Sequence, residues 1–127
     1  MSEIPDWLAE LNAAVDRMEP DSILARMTED AGFGFGGQIQ ARGHSEIRAL
    51  LDGFYSRIDG LEHRIVEVIT LADSTLSFGE VTYDVGGEQV STGFVVRYRL
   101  DDAKRVRDYI IYVDTLPLVR LQERHGR

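Results

Sequence analysis

Three long runs of alternating side chains fill the last third of the chain, namely TLSFGEVTYDV (Thr75–Val85), VSTGFVVRYRL (Val90–Leu100) and RVRDYIIYVD (Arg105–Asp114). Each run holds 10 or 11 residues, whereas an ordinary strand has about five or six. Gly86 and Gly87 join the first two runs and suit a tight hairpin. Such long consecutive strands in a small chain predict one strongly curved antiparallel sheet, and a sheet of this kind wrapped on helices encloses a pocket.

The first half of the chain is predicted to be helical. Apolar residues at spacings of three and four mark a first helix, which Pro20 is expected to end because proline donates no backbone N–H. A second, short helix is predicted to run to Met27, and a third to run from Gly43–Glu46 to Asp59-Gly60. At the other end of the chain, Thr115–Leu118 is predicted to be a short tail.

Two further segments are predicted to be extended. Phe33 and Phe35 lie two residues apart in a glycine-rich run, so they share one side of an extended segment. From His63 onward the hydrophobic pattern has a period of two with both faces partly apolar, which predicts a strand inside the sheet. Three N-terminal helices followed by four antiparallel strands predict a single α+β domain over residues 1–127, with the helices packed on one face of a curved sheet.

The composition excludes several classes of function. The net charge of −8, from 14 Lys plus Arg against 22 Asp plus Glu, would repel nucleic acids and anionic lipids. The chain has no cysteine, which removes disulfides, thiol catalysis and thiolate metal sites. No apolar run reaches the about 18–20 residues of a membrane span, and the first six residues carry acids where a signal peptide has cations. These features predict a cytoplasmic protein with no membrane or nucleic-acid partner.

The chain resembles the NTF2-like superfamily, in particular its SnoaL-like and ketosteroid-isomerase-like branch. The residues that carry the resemblance are Trp7–Val15, Thr28–Ala31, Gly43 with Ile47, and Tyr109–Asp114. The resemblance implies a cone in which helices close the concave side of the sheet around a deep, mostly apolar cavity. It also implies a small apolar ligand, no cofactor, and a homodimer formed through the convex face of the sheet.

The resemblance also locates the positions at which relatives carry catalytic groups. In the ketosteroid-isomerase branch, the enolate-binding tyrosine, the enolate-binding acid and the proton-moving aspartate correspond to Leu11, Val96 and Phe35. In the limonene-epoxide-hydrolase branch, one arginine and two aspartates correspond to positions near Glu80, Thr82 and Ile111. Neither set of polar groups is present in this chain, so Leu11, Phe35, Val96 and Ile111 are predicted to contact a ligand through hydrocarbon only.

Glu80 is the acid best suited to catalysis. It shares one side of its strand with Leu76, Phe78 and Thr82. If that side lines the cavity, Glu80 becomes a usable general base or acid and Thr82 a polar ligand contact. The alternative is that Glu80 faces solvent or pairs with an arginine across the sheet, as charged strand residues usually do.

Tyrosines and other aromatic residues are the remaining candidates for the cavity wall. Side chains alternate between the two faces of a strand, and this alternation places Tyr98 and Tyr109 inside the cone. A tyrosine hydroxyl there could orient a ligand carbonyl. The alternative for both is core packing with a satisfied hydroxyl. The same two readings, ligand contact or core, apply to the predicted aromatic walls, which comprise Trp7, Phe33, Phe35 and Phe54.

None of the three histidines has a second histidine or a carboxylate at a metal-ligand spacing, so no metal site is predicted. His63, at the start of its strand, could reach the mouth of the cavity. Asp114 is expected to have a structural or interface role. Arg97, Arg99 and Arg107 are predicted to lie on the outer face of the sheet, where they could pair with acids of a second subunit or simply meet solvent.

Two functions follow from this sequence. The first is a cofactor-free isomerase, cyclase or hydrolase that acts on an apolar, carbonyl-bearing small molecule, with Glu80 moving a proton and Tyr98 or Tyr109 holding the oxygen. The second is a non-catalytic binding or interaction module of the same fold, which the hydrocarbon at the matched catalytic positions favours.

Overall fold

Six strands and four helices make up residues 3–127, the part of the chain that the computed structural model describes. The helices are α1 (Asp6–Asp16), α2 (Pro20–Leu24), α3 (His44–Tyr55) and α4 (Leu116–Arg124). The strands are β1 (Met27–Phe35), β2 (Ala41–Arg42), β3 (Gly60–Thr70), β4 (Thr75–Val85), β5 (Glu88–Leu100) and β6 (Val106–Val113). They form one sheet in the order β2-β1-β6-β5-β4-β3. The predicted α+β class is therefore confirmed, while residues 1 and 2 of the predicted domain lie outside the described residues.

The three long strands are confirmed. β4 has the predicted bounds, β5 begins two residues earlier at Glu88, and β6 spans Val106–Val113. The β4–β5 hairpin turns at Gly86 and Gly87, whose φ values are 59° and 84°, a conformation that glycine adopts without steric cost. β3 to β6 are successive antiparallel neighbours, so this meander forms most of the sheet.

The first two helices are present but end earlier than predicted. α1 ends at Asp16, and Met18 has a φ of 57°, which takes the chain out of the helix before Pro20. Pro20 instead begins α2, where its missing N–H leaves no helical hydrogen bond unmade. α2 ends at Leu24, and Met27 begins β1 rather than ending a helix.

A parallel pairing adds β1 and β2 to the predicted sheet. β1 runs beside β6, with Phe33 paired to Tyr109 and Phe35 paired to Ile111. The glycine-rich run is extended, as predicted, and both phenylalanines line the concave side. Because more than 70 residues separate the two strands along the chain, no local pattern reports this pairing.

β3 is an edge strand, so its predicted place inside the sheet is wrong. Val66 and Ile69 keep 49% and 37% of their surface exposed. A β-bulge between Ile65 and Glu67 shifts the register of β3 against β4, and a bulge of this kind changes which side chains share a face. The apolar residues on both faces therefore reflect the bulge and an apolar outer surface, not two covered faces.

The segment predicted to be a tail is the beginning of α4. Leu118 and Leu121 of this helix are buried in the core, and their three-residue spacing with Pro117 in the first turn is the sequence signal that marks the helix. Asp114 Oδ1 accepts a hydrogen bond from the backbone N–H of Leu116 at 3.0 Å. Asp114 therefore has a structural role at the start of α4.

The C-terminal end of α4 is expected to loosen at acidic pH. Hydrogen bonds from His125 and Arg127 lower the pKa of Glu88 and of Asp59 below their ordinary values of 4.5 and 3.8. A carboxylate with a lowered pKa in the folded state stabilises the fold above its ordinary pKa, and this contribution is lost as the pH falls through the folded value. Hydrogen-exchange protection of the α4 amides should therefore fall as the pH drops below about 4.5.

The control for this expectation removes one of the two carboxylates. Glu88→Gln should make the protection of α4 less dependent on pH, because the His125 and Arg124 contacts to Glu88 no longer titrate. Glu80→Gln, a change on the outer face of β4, should leave the pH dependence as it is. An unaltered pH dependence in Glu88→Gln would contradict the assignment.

The core lies between the concave face of the sheet and the helices. Its largest fully buried helical side chains are Leu8 and Leu11 of α1, Ile23 of α2, Ile47 of α3 and Leu121 of α4. None of the helices within residues 3–127 is long and apolar enough to cross a membrane.

Candidate functional site

A cavity of about 420 Å³ lies between the concave face of the sheet and helices α1, α3 and α4. This volume falls within the about 300–1,000 Å³ of small-molecule pockets. The apolar part of its wall includes Phe33, Phe35, Phe54, Phe94, Val96 and Ile111.

The mouth of the cavity lies between α3 and α4. Ala49, Gly53 and Arg57, from α3 and the turn after it, line the cavity and are exposed to solvent, as are Thr115 and Val119 at the start of α4. The cavity therefore opens to solvent between these two helices.

His63 of β3 and Asp16 of α1 form a hydrogen-bonded pair at the cavity wall. His63 Nδ1 lies 2.7 Å from Asp16 Oδ1, and the backbone N–H of His63 donates to Asp16 Oδ2 at 3.0 Å. The two side chains are only 14% and 21% exposed. The carboxylate accepts a hydrogen bond from Nδ1–H and so keeps the proton on Nδ1. Nε2 is therefore the basic nitrogen of the neutral imidazole.

Helix α1 fixes the position of this pair. Asn12 and Asp16 are four residues apart and so lie on one face of the helix. Asn12 Nδ2 donates to the backbone carbonyl of His63 at 3.5 Å, while Asp16 binds the backbone N–H and the ring of the same residue. The His63 ring also meets Phe94 edge-on, with 5.1 Å between ring centroids. Asp16 and Phe94 thus hold the ring, while Asn12 and Asp16 hold the backbone of the same residue.

The second ring nitrogen of His63 is accessible and belongs to a side chain that lines the cavity. His63 is part of the cavity wall, and its Nε2 has no hydrogen-bond partner within residues 3–127. Nε2 is also not among the side-chain polar atoms of the described chain that are both buried and without a hydrogen-bond partner. A basic nitrogen that is held in position by a carboxylate and faces an apolar cavity can accept a proton from a bound molecule and return it.

Three interior tyrosine hydroxyls interact with the protein itself. Tyr98 OH and Ser77 Oγ are 2.9 Å apart, and Tyr55 OH donates to the backbone carbonyl of Val15 at 3.0 Å. Tyr109 packs edge-on against Tyr98, with 5.2 Å between ring centroids, and its hydroxyl interacts with that of Tyr98. Burial raises the pKa of all three phenols above the ordinary value of 10, so they stay protonated at neutral pH.

Glu80 and Thr82 lie on the convex face, outside the cavity wall. Of the two interpretations of Glu80, the structure therefore supports the one in which it faces solvent. Glu80 is exposed, and Thr82 Oγ1 lies 2.7 Å from Ser91 Oγ of the next strand. The alternate residues Val81 and Tyr83 face the cavity instead. A period of two groups the residues of a strand correctly, but it does not say which group faces the concave side.

The other predicted site residues divide between cavity and core. Six of them line the cavity, namely Phe33, Phe35, Phe54, Val96, Tyr109 and Ile111. Trp7, Leu11 and Tyr98 are not part of its wall: Leu11 is buried, and Trp7 meets the Tyr98 ring edge-on at 5.3 Å. Ligand contact by the six lining residues stays a prediction.

The sequence indicated only that His63 could reach the mouth of the cavity, and it gave no sign of the contact with Asp16. These two residues are 47 positions apart, and the contact depends on how α1 crosses β3. One local signal was available: Leu61 and Ile65, two residues to either side, pack on the core. A histidine between inward-facing apolar neighbours on a strand points inward as well.

Two of the three arginines predicted for the outer face, Arg97 and Arg99, pair with acids of their own chain. Arg97 and Arg99 lie opposite Tyr98, as predicted, and approach Asp73 at 4.0 and 3.9 Å, while Arg99 also lies 3.6 Å from Asp108. Exposed pairs of this kind contribute about 0–1 kcal/mol. A homodimer through the convex face stays a prediction, which the mass of the protein in solution would check.

The other two histidines, His44 and His125, form hydrogen bonds within the protein. His44 Nε2 lies 3.0 Å from the backbone carbonyl of Thr28, and His125 Nε2 lies 2.8 Å from Glu88 Oε1. Over the described residues, no group of three or more His, Asp or Glu side chains could hold a metal ion.

Comparison with solved structures identifies the fold. TerC co-crystallised with polyporic acid superposes with a TM-score of 0.80 at 19% identity, covering 93% of this chain and 96% of that chain. A hypothetical protein from Catenulispora acidiphila with a ketosteroid isomerase-like fold gives a TM-score of 0.82 at 10% identity, covering 95% of both chains. An LEH-like epoxide hydrolase of M. tuberculosis gives 0.73 at 19% identity, covering 93% of this chain and 87% of that chain.

Comparison of sequences identifies the family. No curated protein matches the sequence. The family model of the SnoaL-like domain matches residues 8–108, a range that runs from α1 into β6 and includes both members of the Asp16–His63 pair. The predicted resemblance is therefore confirmed: the chain belongs to the SnoaL-like domain family and has the NTF2-like, ketosteroid-isomerase-like fold.

Proposed function

We propose that this chain is an acid–base enzyme that moves a proton on an apolar, carbonyl-bearing small molecule, with His63 as its catalytic base and acid. The Asp16–His63 pair at the wall of an apolar cavity carries the proposal. It takes the role that the sequence assigned to Glu80.

The chemistry follows from the two ring nitrogens. His63 Nε2 accepts a proton from the carbon next to the carbonyl of the bound molecule, and the electron pair left behind moves toward the carbonyl oxygen. Asp16 stabilises the imidazolium that forms and keeps its orientation. The imidazolium then returns the proton to the same or another atom of the molecule, which serves isomerisation or cyclisation; proton transfer from water would serve hydrolysis.

The wall of the cavity favours an apolar substrate. Eleven phenylalanine, valine and isoleucine side chains line the cavity together with His63 and Tyr109. A low-dielectric wall of this kind strengthens the effect of the Asp16 carboxylate on the imidazolium. Among the similar structures are an epoxide hydrolase of M. tuberculosis and a putative SnoaL-like polyketide cyclase of Shewanella denitrificans. Those names support small-molecule chemistry in this fold.

Proton exchange on a model ketone tests the proposal without knowledge of the substrate. We expect the protein in D2O to accelerate deuterium incorporation into the methyl group of 2-acetylnaphthalene, measured by NMR, beyond the rate with an equal concentration of imidazole. Glu80→Gln should retain the full rate, because Glu80 lies on the convex face. Loss of the rate in Glu80→Gln, or no acceleration by the wild type, would contradict the assignment.

A binding module without chemistry is the second candidate. The observation in its favour is that Phe35 and Val96 line the cavity as hydrocarbon where relatives carry catalytic acids. Binding of 2-acetylnaphthalene in the cavity without any exchange of its methyl protons would favour this candidate over the enzyme.

A further inference from the structure

Tyr83 differs from Tyr55 and Tyr98 in the state of its hydroxyl. It lies on β4, lines the cavity, and packs edge-on against Phe54 with 6.1 Å between ring centroids. Tyr55 and Tyr98 each have a protein partner for their hydroxyl. The Tyr83 hydroxyl has no hydrogen-bond partner within the described residues, and it is not one of their polar atoms that are both buried and unpaired. Because Tyr83 lines the cavity, we infer that its hydroxyl is accessible from there.

An open hydroxyl in an apolar wall recognises a ligand oxygen. Burial raises the pKa of Tyr83 to about 12, so at neutral pH the phenol is protonated and can donate. A polar group of this kind is costly to leave unpaired once an apolar ligand has displaced the water around it. A ligand that lacks an acceptor at this point therefore binds less well than one that has it.

The sheet register places Tyr83 close to His63. His63 pairs with Val81, and Tyr83 pairs with Leu61. His63 and Tyr83 are thus diagonal neighbours on two adjacent strands, and positions related in this way are about 7–8 Å apart. Both side chains line the cavity, so one small molecule can contact His63 Nε2 and the Tyr83 hydroxyl together.

The charges around the cavity favour an uncharged ligand. Among the described lining residues, Arg57 is the one side chain with a permanent charge, and it is exposed at the mouth. A carboxylate deep inside the cavity would lie near the Asp16 carboxylate, and an unpaired charge is expensive to bury.

We propose that Tyr83 donates a hydrogen bond to an oxygen of the ligand, and that this contact makes the cavity selective for uncharged molecules with a carbonyl oxygen over hydrocarbons and carboxylates of the same shape. This inference rests on the proposed function, because it concerns the ligand of the same cavity.

Three probes of similar shape test the selectivity. We expect wild-type protein to bind 2-acetylnaphthalene more tightly than 2-isopropenylnaphthalene, which has a CH2 group in place of the oxygen, and more tightly than 2-naphthoate. Tyr83→Phe should weaken binding of the ketone about three- to tenfold and leave binding of the alkene unchanged within about twofold. Equal ketone-to-alkene affinity ratios in wild type and Tyr83→Phe would overturn the proposal.

The carbonyl vibration of the bound ketone gives a second readout. With a 13C-labelled carbonyl, the infrared band of bound 2-acetylnaphthalene should lie at lower frequency in the wild type than in Tyr83→Phe. Tyr55→Phe is the matched control from the same cavity, and its band should equal that of the wild type because the Tyr55 hydroxyl donates to Val15. The same band in Tyr83→Phe as in the wild type would overturn the proposal.

The two proposals fail in different ways. The band shift needs only binding, so it should persist in His63→Gln, in which no proton is transferred. If the bound ketone shows the shifted band but its methyl protons do not exchange, the enzymatic function is ruled out and the role of Tyr83 stands. Exchange without any effect of Tyr83→Phe on affinity or on the band removes the role of Tyr83 and leaves the enzymatic function.

Discussion

His63→Gln should lower the rate of deuterium incorporation into 2-acetylnaphthalene about 10²- to 10⁴-fold, the usual contribution of a positioned general base. Glutamine resembles histidine in size and can still donate to Asp16, but it has no basic nitrogen to present to the cavity. Binding of the ketone, followed by fluorescence, should change little. A His63→Gln variant that exchanges at the wild-type rate would rule out His63 as the base.

Asp16→Asn is the companion variant and separates positioning from folding. An asparagine amide can donate to Nδ1, which would shift the proton of the imidazole to Nε2, the nitrogen that faces the cavity. The exchange rate should therefore fall by a similar factor while the histidine is still present. The 15N chemical shifts of the His63 ring should report the changed tautomer, and a merely structural role of Asp16 would leave them as in the wild type.

Gly79→Ala should destabilise the fold by about 3 kcal/mol or more, among the largest effects of a single substitution. A Cβ at this position would overlap the backbone carbonyl oxygen of Arg64 and come within 3.0 Å of Ile65 Cα. Both are backbone atoms of β3, next to the bulge, and neither can move without breaking the β3–β4 ladder. Urea denaturation measures the loss, and a loss below about 1 kcal/mol would show that β3 can adjust.

Gly93→Ala is the matched control for this variant. Gly93 lies on the neighbouring strand β5, and the nearest atom to an added Cβ is the carbonyl oxygen of Gly79 at 3.8 Å, an ordinary contact. The free energy of unfolding should change by less than about 1 kcal/mol. If Gly93→Ala and Gly79→Ala cost the same, general strand propensity and not the close approach of β3 explains the effect.

The sequence predicts the parts of the fold that have a local period. β4 was predicted to the residue, because its alternation is unbroken and Gly86 ends it. The place of β3 at the edge could not be predicted from the sequence. Val66 and Ile69 are apolar although they are exposed, and a hydropathy pattern contains no information on the order of strands in a sheet. The pairing of β1 with β6 depends on contacts between opposite ends of the chain.

The site was predicted less well than the fold, for a physical reason. The apolar wall was predictable because Phe33, Phe35 and Val96 follow from parity within single strands. The choice of face on β4 needed the curvature of the whole sheet, and the wrong choice put Glu80 in place of Tyr83. The Asp16–His63 contact joins two elements that meet only after folding.

Asp16 also protects an edge of the sheet. As the outermost strand, β3 presents backbone groups that no neighbouring strand covers, and such edges are templates on which other chains can add a strand and aggregate. At His63, the backbone N–H donates a hydrogen bond to Asp16 and the backbone carbonyl accepts one from Asn12. A further strand therefore cannot pair with these two groups. Loss of Asp16 should therefore remove a barrier to aggregation as well as the partner of the proposed base, so that one carboxylate affects both colloidal stability and the proposed activity.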